Sequence, residues 1–94
     1  MAYYNLVYHL APDYLTRRKP IRAQHFDHLK PYFDRGELIM GGAHEDIDKG
    51  ALIIFNVDDE QAIKEFADHD PYVLEGVVTS YEINKWNVAI GNVK

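Results

Sequence analysis

Ala51-Leu-Ile-Ile-Phe-Asn-Val57 runs directly into Asp58-Asp-Glu-Gln-Ala-Ile-Lys-Glu-Phe-Ala-Asp68, and the change of hydropathy period between them decides the fold. The first seven residues are a nearly continuous apolar run, which reads as a central strand. Ala62, Ile63, Phe66 and Ala67 then recur at helical spacing, so a helix is expected through about Asp68, capped by Asp58 or Asp59. Asp70-Pro71 ends it, because the residue before a proline avoids helical geometry.

Upstream, Glu37-Leu-Ile-Met40 reads as a short strand broken by Gly41-Gly42, and polar residues 43–50 as a connecting loop that ends at Gly50. From Ile21 the period is again helical. Ala23, Phe26, Leu29 or Lys30, and Phe33 share one stripe, with Pro20 at the start and Gly36 at the stop. Pro31 lacks an amide and crowds the carbonyl four residues back, so a kink near Asp27–Pro31 is expected. Residues 3–10 alternate as a strand does, with Tyr4, Leu6, Tyr8 and Leu10 on one face and Tyr3, Asn5, Val7 and His9 on the other. A polar loop over residues 12–20 joins this strand to the helix. Downstream, Val77–Val88 reads as a long last strand containing Tyr81, Ile83 and Trp86. Ala89–Lys94 reads as a tail that is either loose or crosses to a partner.

The order is β-α-β-β-α-β, the ferredoxin-like split arrangement of the α+β class, with an antiparallel sheet and helices on one face. The opposite face carries Tyr3 and Val7 and is too apolar for water. Pairing of two sheets in a homodimer covers it most simply.

Ninety-four residues fit one domain spanning 1–94. A domain of that size buries only roughly 60–65% of its unfolded surface, so association would add stability. The formal charge is −5 and the ten basic residues are scattered, which leaves no extended basic surface and argues against a nucleic-acid partner. Arg17-Arg18-Lys19 is the densest basic cluster and reads as a solvated loop, with an anionic ligand contact as the alternative. There is no cysteine, which excludes disulfides and thiolate metal sites. Met1-Ala-Tyr-Tyr-Asn5 lacks the apolar region of a signal peptide, and no apolar run approaches the roughly 20 residues of a membrane span. No membrane role and a cytoplasmic location are expected.

The chemistry-bearing landmarks are Arg22-Ala-Gln-His25 and Asp70-Pro71-Tyr72, on different elements. Brought together by the fold, the His25 imidazole and the Asp70 carboxylate would make a general acid/base dyad, since histidine transfers protons near neutrality and a carboxylate fixes its tautomer. With no serine or cysteine nucleophile beside it, such a pair suits proton abstraction. The plainer reading of His25 is a capping or ion-pairing residue on an exposed helix, and of Asp70 a turn former before Pro71. Arg22, one helical turn before His25, would hold a substrate oxyanion or pair with a nearby acid. Gly41-Gly42 would admit backbone amides to a ligand or form a bulge. Tyr72 would line the pocket or pack below the turn. A rival is a metal held by His25-x-x-His28 with His44-Glu45 or His69-Asp70. Nothing singles out a haem pocket, and the acid/base scheme requires no cofactor and no metal.

Arg22-x-x-His25, Gly36-Glu-Leu-Ile-Met-Gly-Gly42, and Asp70-Pro71-Tyr72 followed by Gly76 together make the chain resemble the YCII-related proteins of the dimeric α/β-barrel superfamily. The similarity covers roughly residues 3–87. The family typically has a proline after the glycine corresponding to Gly42, where this chain has Ala43. The resemblance implies a homodimer with a small-molecule cleft beside each sheet and a His–Asp active site, here His25 and Asp70. Lyase or isomerase chemistry on small cyclic compounds is the activity it suggests. A non-catalytic ligand-binding or accessory protein of the same fold is the alternative.

Overall fold

The computed structural model describes residues 2–91. Among them, β1 (Ala2–Leu10), β2 (Leu38–Ala43), β3 (Ala51–Val57) and β4 (Val78–Trp86) form one sheet in the order β2-β3-β1-β4, every neighbouring pair antiparallel. β1 and β2 therefore run parallel with β3 inserted between them, which is the ferredoxin-like split connection. The helices are α1 (Tyr14–Arg17), α2 (Arg22–Asp34), α3 (Glu60–His69) and α4 (Pro71–Leu74).

Alternation along β1 turns Tyr4, Leu6 and Tyr8 into the helix-covered face, where Leu6 is flanked by Ile53 of β3 and Ile83 of β4. From α3, Ile63, Phe66 and Ala67 are fully buried over these strands, and Phe66 meets Phe55 edge to face at 5.0 Å. Isoleucine and phenylalanine side chains each contribute about 1.5–3 kcal/mol on burial, so α3 and the two central strands, β3 and β1, form the centre of the core. Asp59 caps α3 by accepting the Gln61 amide at 2.8 Å, which settles the choice between Asp58 and Asp59.

Several expectations need correction. Residues 12–20 are not a plain loop: they hold α1 and lead into a 3-10 turn at Lys19–Ile21, anchored by the buried Tyr14 ring. β2 does not break at the glycines but runs through both, after a register shift between Leu38 and Met40. β4 is shorter than Val77–Val88. A 3-10 turn at Ile47–Lys49 interrupts the 43–50 connection. α2, by contrast, is the single helix expected, continuing through the exposed Pro31, where solvent can satisfy the Asp27 carbonyl.

The inward stripe of α2 also differs from the expected one. Phe26 and Phe33 are 49% and 60% exposed, whereas His25 is buried and Ile21, Leu29 and Tyr32 pack against the core. The reason is polar satisfaction. His25 and His28 face inward because each finds a buried acceptor, Asp70 for the first and the Phe66 carbonyl for the second.

Across the sheet from the helices lie Tyr3, Val7, Leu52 and Ile54, with Met40 62% and Trp86 44% exposed at its rim. Residues 92–94 of the expected tail lie outside the described residues. No helix among the described residues is long and apolar enough to cross a membrane.

Candidate functional site

Three elements converge on one carboxylate. Asp70 follows α3 in the extended conformation imposed by Pro71, and Pro71 opens α4 at its first position. Asp70 is fully buried, and its Oδ1 caps α4 by accepting the Tyr72 amide at 3.0 Å. The same Oδ1 lies 2.7 Å from His25 Nδ1, and Oδ2 accepts the Tyr8 hydroxyl at 2.7 Å. Three donors therefore satisfy a buried anion that would otherwise be costly.

The partnership with a carboxylate acceptor places the neutral imidazole's proton on Nδ1. Nε2 then carries a free lone pair, and it makes no hydrogen bond among the described residues. Tyr72 stacks on the His25 ring with centroids 3.6 Å apart and planes 2° from parallel, and Phe26 meets its edge at 5.3 Å. Orientation and tautomer are thus both fixed. Burial, then the neighbouring Asp70 charge and its hydrogen bond, push the Tyr8 phenol far above the usual tyrosine range, so it stays a proton donor to the carboxylate.

His25 opens onto a cleft of about 340 Å³ between α1, α2, α4 and residues of β1–β3. Tyr8, Tyr14, Tyr72 and Phe26 supply its aromatic wall, and Gly41, Gly42 and Ala43 its edge along β2. Arg22 lies at its mouth with its guanidinium 5.0 Å from the Phe26 ring. All five residues singled out in the sequence, Arg22, His25, Gly42, Asp70 and Tyr72, are therefore in or directly beneath one cleft. A larger groove of about 610 Å³, on the open sheet face between Met40, Ile54 and Trp86, has Lys85 and the Tyr3 phenol as its ionisable groups among the described residues. Among the described residues, His25 of the buried His–Asp pair lines the smaller cleft and not this groove.

Sequence reading missed Tyr8 and Tyr14, and placed Arg18 in the cleft only as a second reading. Tyr8 looked like one more core residue of an alternating strand, and nothing local marks it as the partner of Asp70. For Arg18 a solvated loop is the first reading and an anionic ligand contact the alternative; it lines the cleft, bonded to the Tyr14 hydroxyl at 2.9 Å. As for the rival metal set, His28 and His69 are bonded to the Phe66 and Glu65 carbonyls, and no three His, Asp or Glu side chains converge among the described residues.

The topology and the buried dyad define a small α+β protein of ferredoxin-like architecture with a His–Asp cleft. The chain belongs to the YCII-related domain family, whose model matches residues 1–87. Among solved structures it is similar to 5-chloro-2-hydroxyhydroquinone dehydrochlorinase from Burkholderia phenoliruptrix, determined in complex with 2,5-dihydroxybenzoquinone. The TM-score is 0.74 at 18% identity, over 90% of this chain and 93% of that one, a likeness of fold. No curated protein matches the sequence significantly.

Proposed function

We propose that this protein is a lyase- or isomerase-type enzyme that moves a proton on a small cyclic or carbonyl compound. The observation that carries the reading is the buried 2.7 Å contact between His25 Nδ1 and Asp70, with Nε2 left open to the cleft. In an elimination, Nε2 takes a proton from a substrate carbon. The C–H pair becomes the new double bond, and the leaving group departs from the adjacent atom with its own bonding pair. In an isomerisation the same proton returns to a second carbon. Asp70 stabilises the imidazolium formed in either case, and Arg22 holds an anionic group of the substrate. Tyr72 and the Gly42 backbone shape the pocket. No cofactor enters this scheme.

The dehydrochlorinase neighbour supports a trial of hydroxylated, halogenated rings as substrates and of 2,5-dihydroxybenzoquinone as a ligand. The deciding experiment follows halide release or isomerisation over such a panel in wild type, His25→Gln and Asp70→Asn, with ring-nitrogen NMR of His25. Turnover lost in both variants, with Nδ1 protonated in the neutral wild-type ring, is the expected result. Turnover indifferent to either substitution sinks the reading.

A non-catalytic binding protein is the second reading, favoured by one observation: Asp70 also caps α4, so the carboxylate has structural work apart from His25. In that case Asp70→Asn lowers stability and leaves ligand affinity unchanged. The working form in either reading is a homodimer paired through the open sheet face, supported by the apolar row of Tyr3, Val7, Leu52 and Ile54.

A further inference from the structure

We propose that Arg18, Arg22 and the Tyr72 hydroxyl form a subsite for an ionised oxygen, so that the ligand of this cleft is a small organic anion, a carboxylate or a ring phenolate or enolate. The inference rests on the cleft's being a substrate site, and it specifies the substrate class.

The first observation is an orphan. Tyr72 is only 4% exposed, and its hydroxyl is the one buried side-chain polar atom without a hydrogen-bond partner among the described residues. Buried hydroxyls are nearly always paired, and Tyr72 lines the cleft, so its hydroxyl lacks an acceptor that a bound water or ligand atom would supply. Burial, then the neighbouring Tyr14 phenol, raise the Tyr72 phenol above its ordinary range even against the Arg22 and Arg18 charges and the approach of the Arg22 guanidinium to its oxygen, so the hydroxyl keeps a proton to donate.

The second observation is the charge around it. Arg18 and Arg22 line the same cleft, and neither has a carboxylate partner among the described residues, whereas Arg17 and Arg35 are paired with Asp13 and Glu37. No Asp or Glu lines the cleft, in a chain whose net charge is −5. Each guanidinium lies over an aromatic ring, Arg18 4.9 Å over Tyr14 and Arg22 5.0 Å over Phe26. Two cations without carboxylate partners and a phenol donor without an internal acceptor are the complement of an oxyanion. Because Tyr72 stacks on His25, an oxygen anchored there keeps the rest of a ligand next to the base.

The test titrates the full-length protein with benzoate and with 4-nitrophenol at a pH where it is ionised. Their neutral counterparts, methyl benzoate and 4-nitroanisole, are titrated in parallel, and the His25 and Tyr72 NMR signals are followed throughout. At least one anion is expected to bind about tenfold or more tighter than its neutral counterpart. Arg18→Gln and Arg22→Gln should each weaken it by about tenfold, and the near-isosteric Tyr72→Phe should weaken it while preserving the stack on His25. Whether benzoate, the phenolate or both respond tells carboxylate from ring oxyanion.

Equal binding of anions and neutral probes, unchanged anion affinity in the Arg18→Gln/Arg22→Gln double variant, or no response to any anion overturns the subsite. Asp70→Asn separates the two readings. Anion binding that persists while turnover is indifferent to Asp70 removes the proton-transfer mechanism alone. Turnover that depends on Asp70 without anion preference removes the subsite alone.

Discussion

The Tyr8 hydroxyl and the His25 imidazole occupy opposite oxygens of one carboxylate, each 2.7 Å from Asp70, Tyr8 on Oδ2 and His25 on Oδ1. The centre of the sheet and the first long helix are thereby pinned to the turn between α3 and α4, across 62 and 45 residues of chain. The same bonds that fix the fold set the state of the imidazole.

Tyr8→Phe keeps the ring and removes only the donor to Oδ2. The oxygen is then buried without a partner, and the loss of stability should be about 1–3 kcal/mol by urea unfolding. His25 should keep its proton on Nδ1, because Oδ1 is untouched. A shift of the proton to Nε2 would show that Tyr8 governs the tautomer as well.

High pH should act through the same hydroxyl. Below pH about 10, folded and unfolded chains both hold the Tyr8 proton, and its contribution is constant. Above that pH the unfolded chain releases the proton and the folded chain retains it, so stability falls by up to ~1.4 kcal/mol per pH unit from this group. Tyr32, Tyr72 and Tyr81 are shifted upward too and steepen the decline. Denaturation midpoints measured from neutral to strongly alkaline pH should stay level and then drop, with a shallower drop in Tyr8→Phe. An equal slope in the two proteins would contradict the assignment.

Gly50→Ala should be among the most damaging single substitutions. Gly50 has φ +76°, and a Cβ there would lie 2.1 Å from the Tyr8 carbonyl oxygen. The left-handed backbone alone costs roughly 1–2 kcal/mol for alanine, and the clash adds to it by pushing β3 off β1 beside the dyad. Gly42→Ala, whose Cβ meets nothing within 4 Å, should stay within about 0.5 kcal/mol of wild type. Thermal melts of the two variants side by side check both.

Val7→Lys tests the homodimer. Val7 sits at the middle of the open sheet face, opposite Glu82 on β4, so a lysine there gains a carboxylate neighbour in the single chain but would be buried in a paired one. Sedimentation should give twice 10.9 kDa for the wild type and 10.9 kDa for the variant. A wild type that sediments as a monomer would end the proposal.

Much of the architecture was legible because periodicity reports burial wherever the buried residues are apolar. β1, β3 and α3 follow that rule, and their expected extents agree with the observed ones to within a residue or two. α2 departs from it. Its inward positions include His25 and His28, so a stripe drawn through apolar residues landed on Phe26 and Phe33 instead. β2 was cut short because glycines ordinarily interrupt strands, yet Gly41 lies against Ile53, where a Cβ would come within 3.2 Å of its side chain. His25 and Asp70 were readable from their landmarks. Tyr8 was not, since strand alternation shows which way a side chain points and says nothing of what waits there, and Arg18 was legible only as the lesser of two readings of a basic loop.

The Asp70 carboxylate also divides the cleft by how firmly its walls are built. Its floor is Tyr8, on a strand hydrogen-bonded along both edges, while Arg18 belongs to a segment made of a four-residue helix and a single 3-10 turn. Backbone amides of β1 should therefore exchange with deuterium only on global unfolding, and those of residues 14–21 through local fraying. A ligand can thus enter or leave by loosening the rim that would grip its charge, while the base and its carboxylate stay assembled behind it.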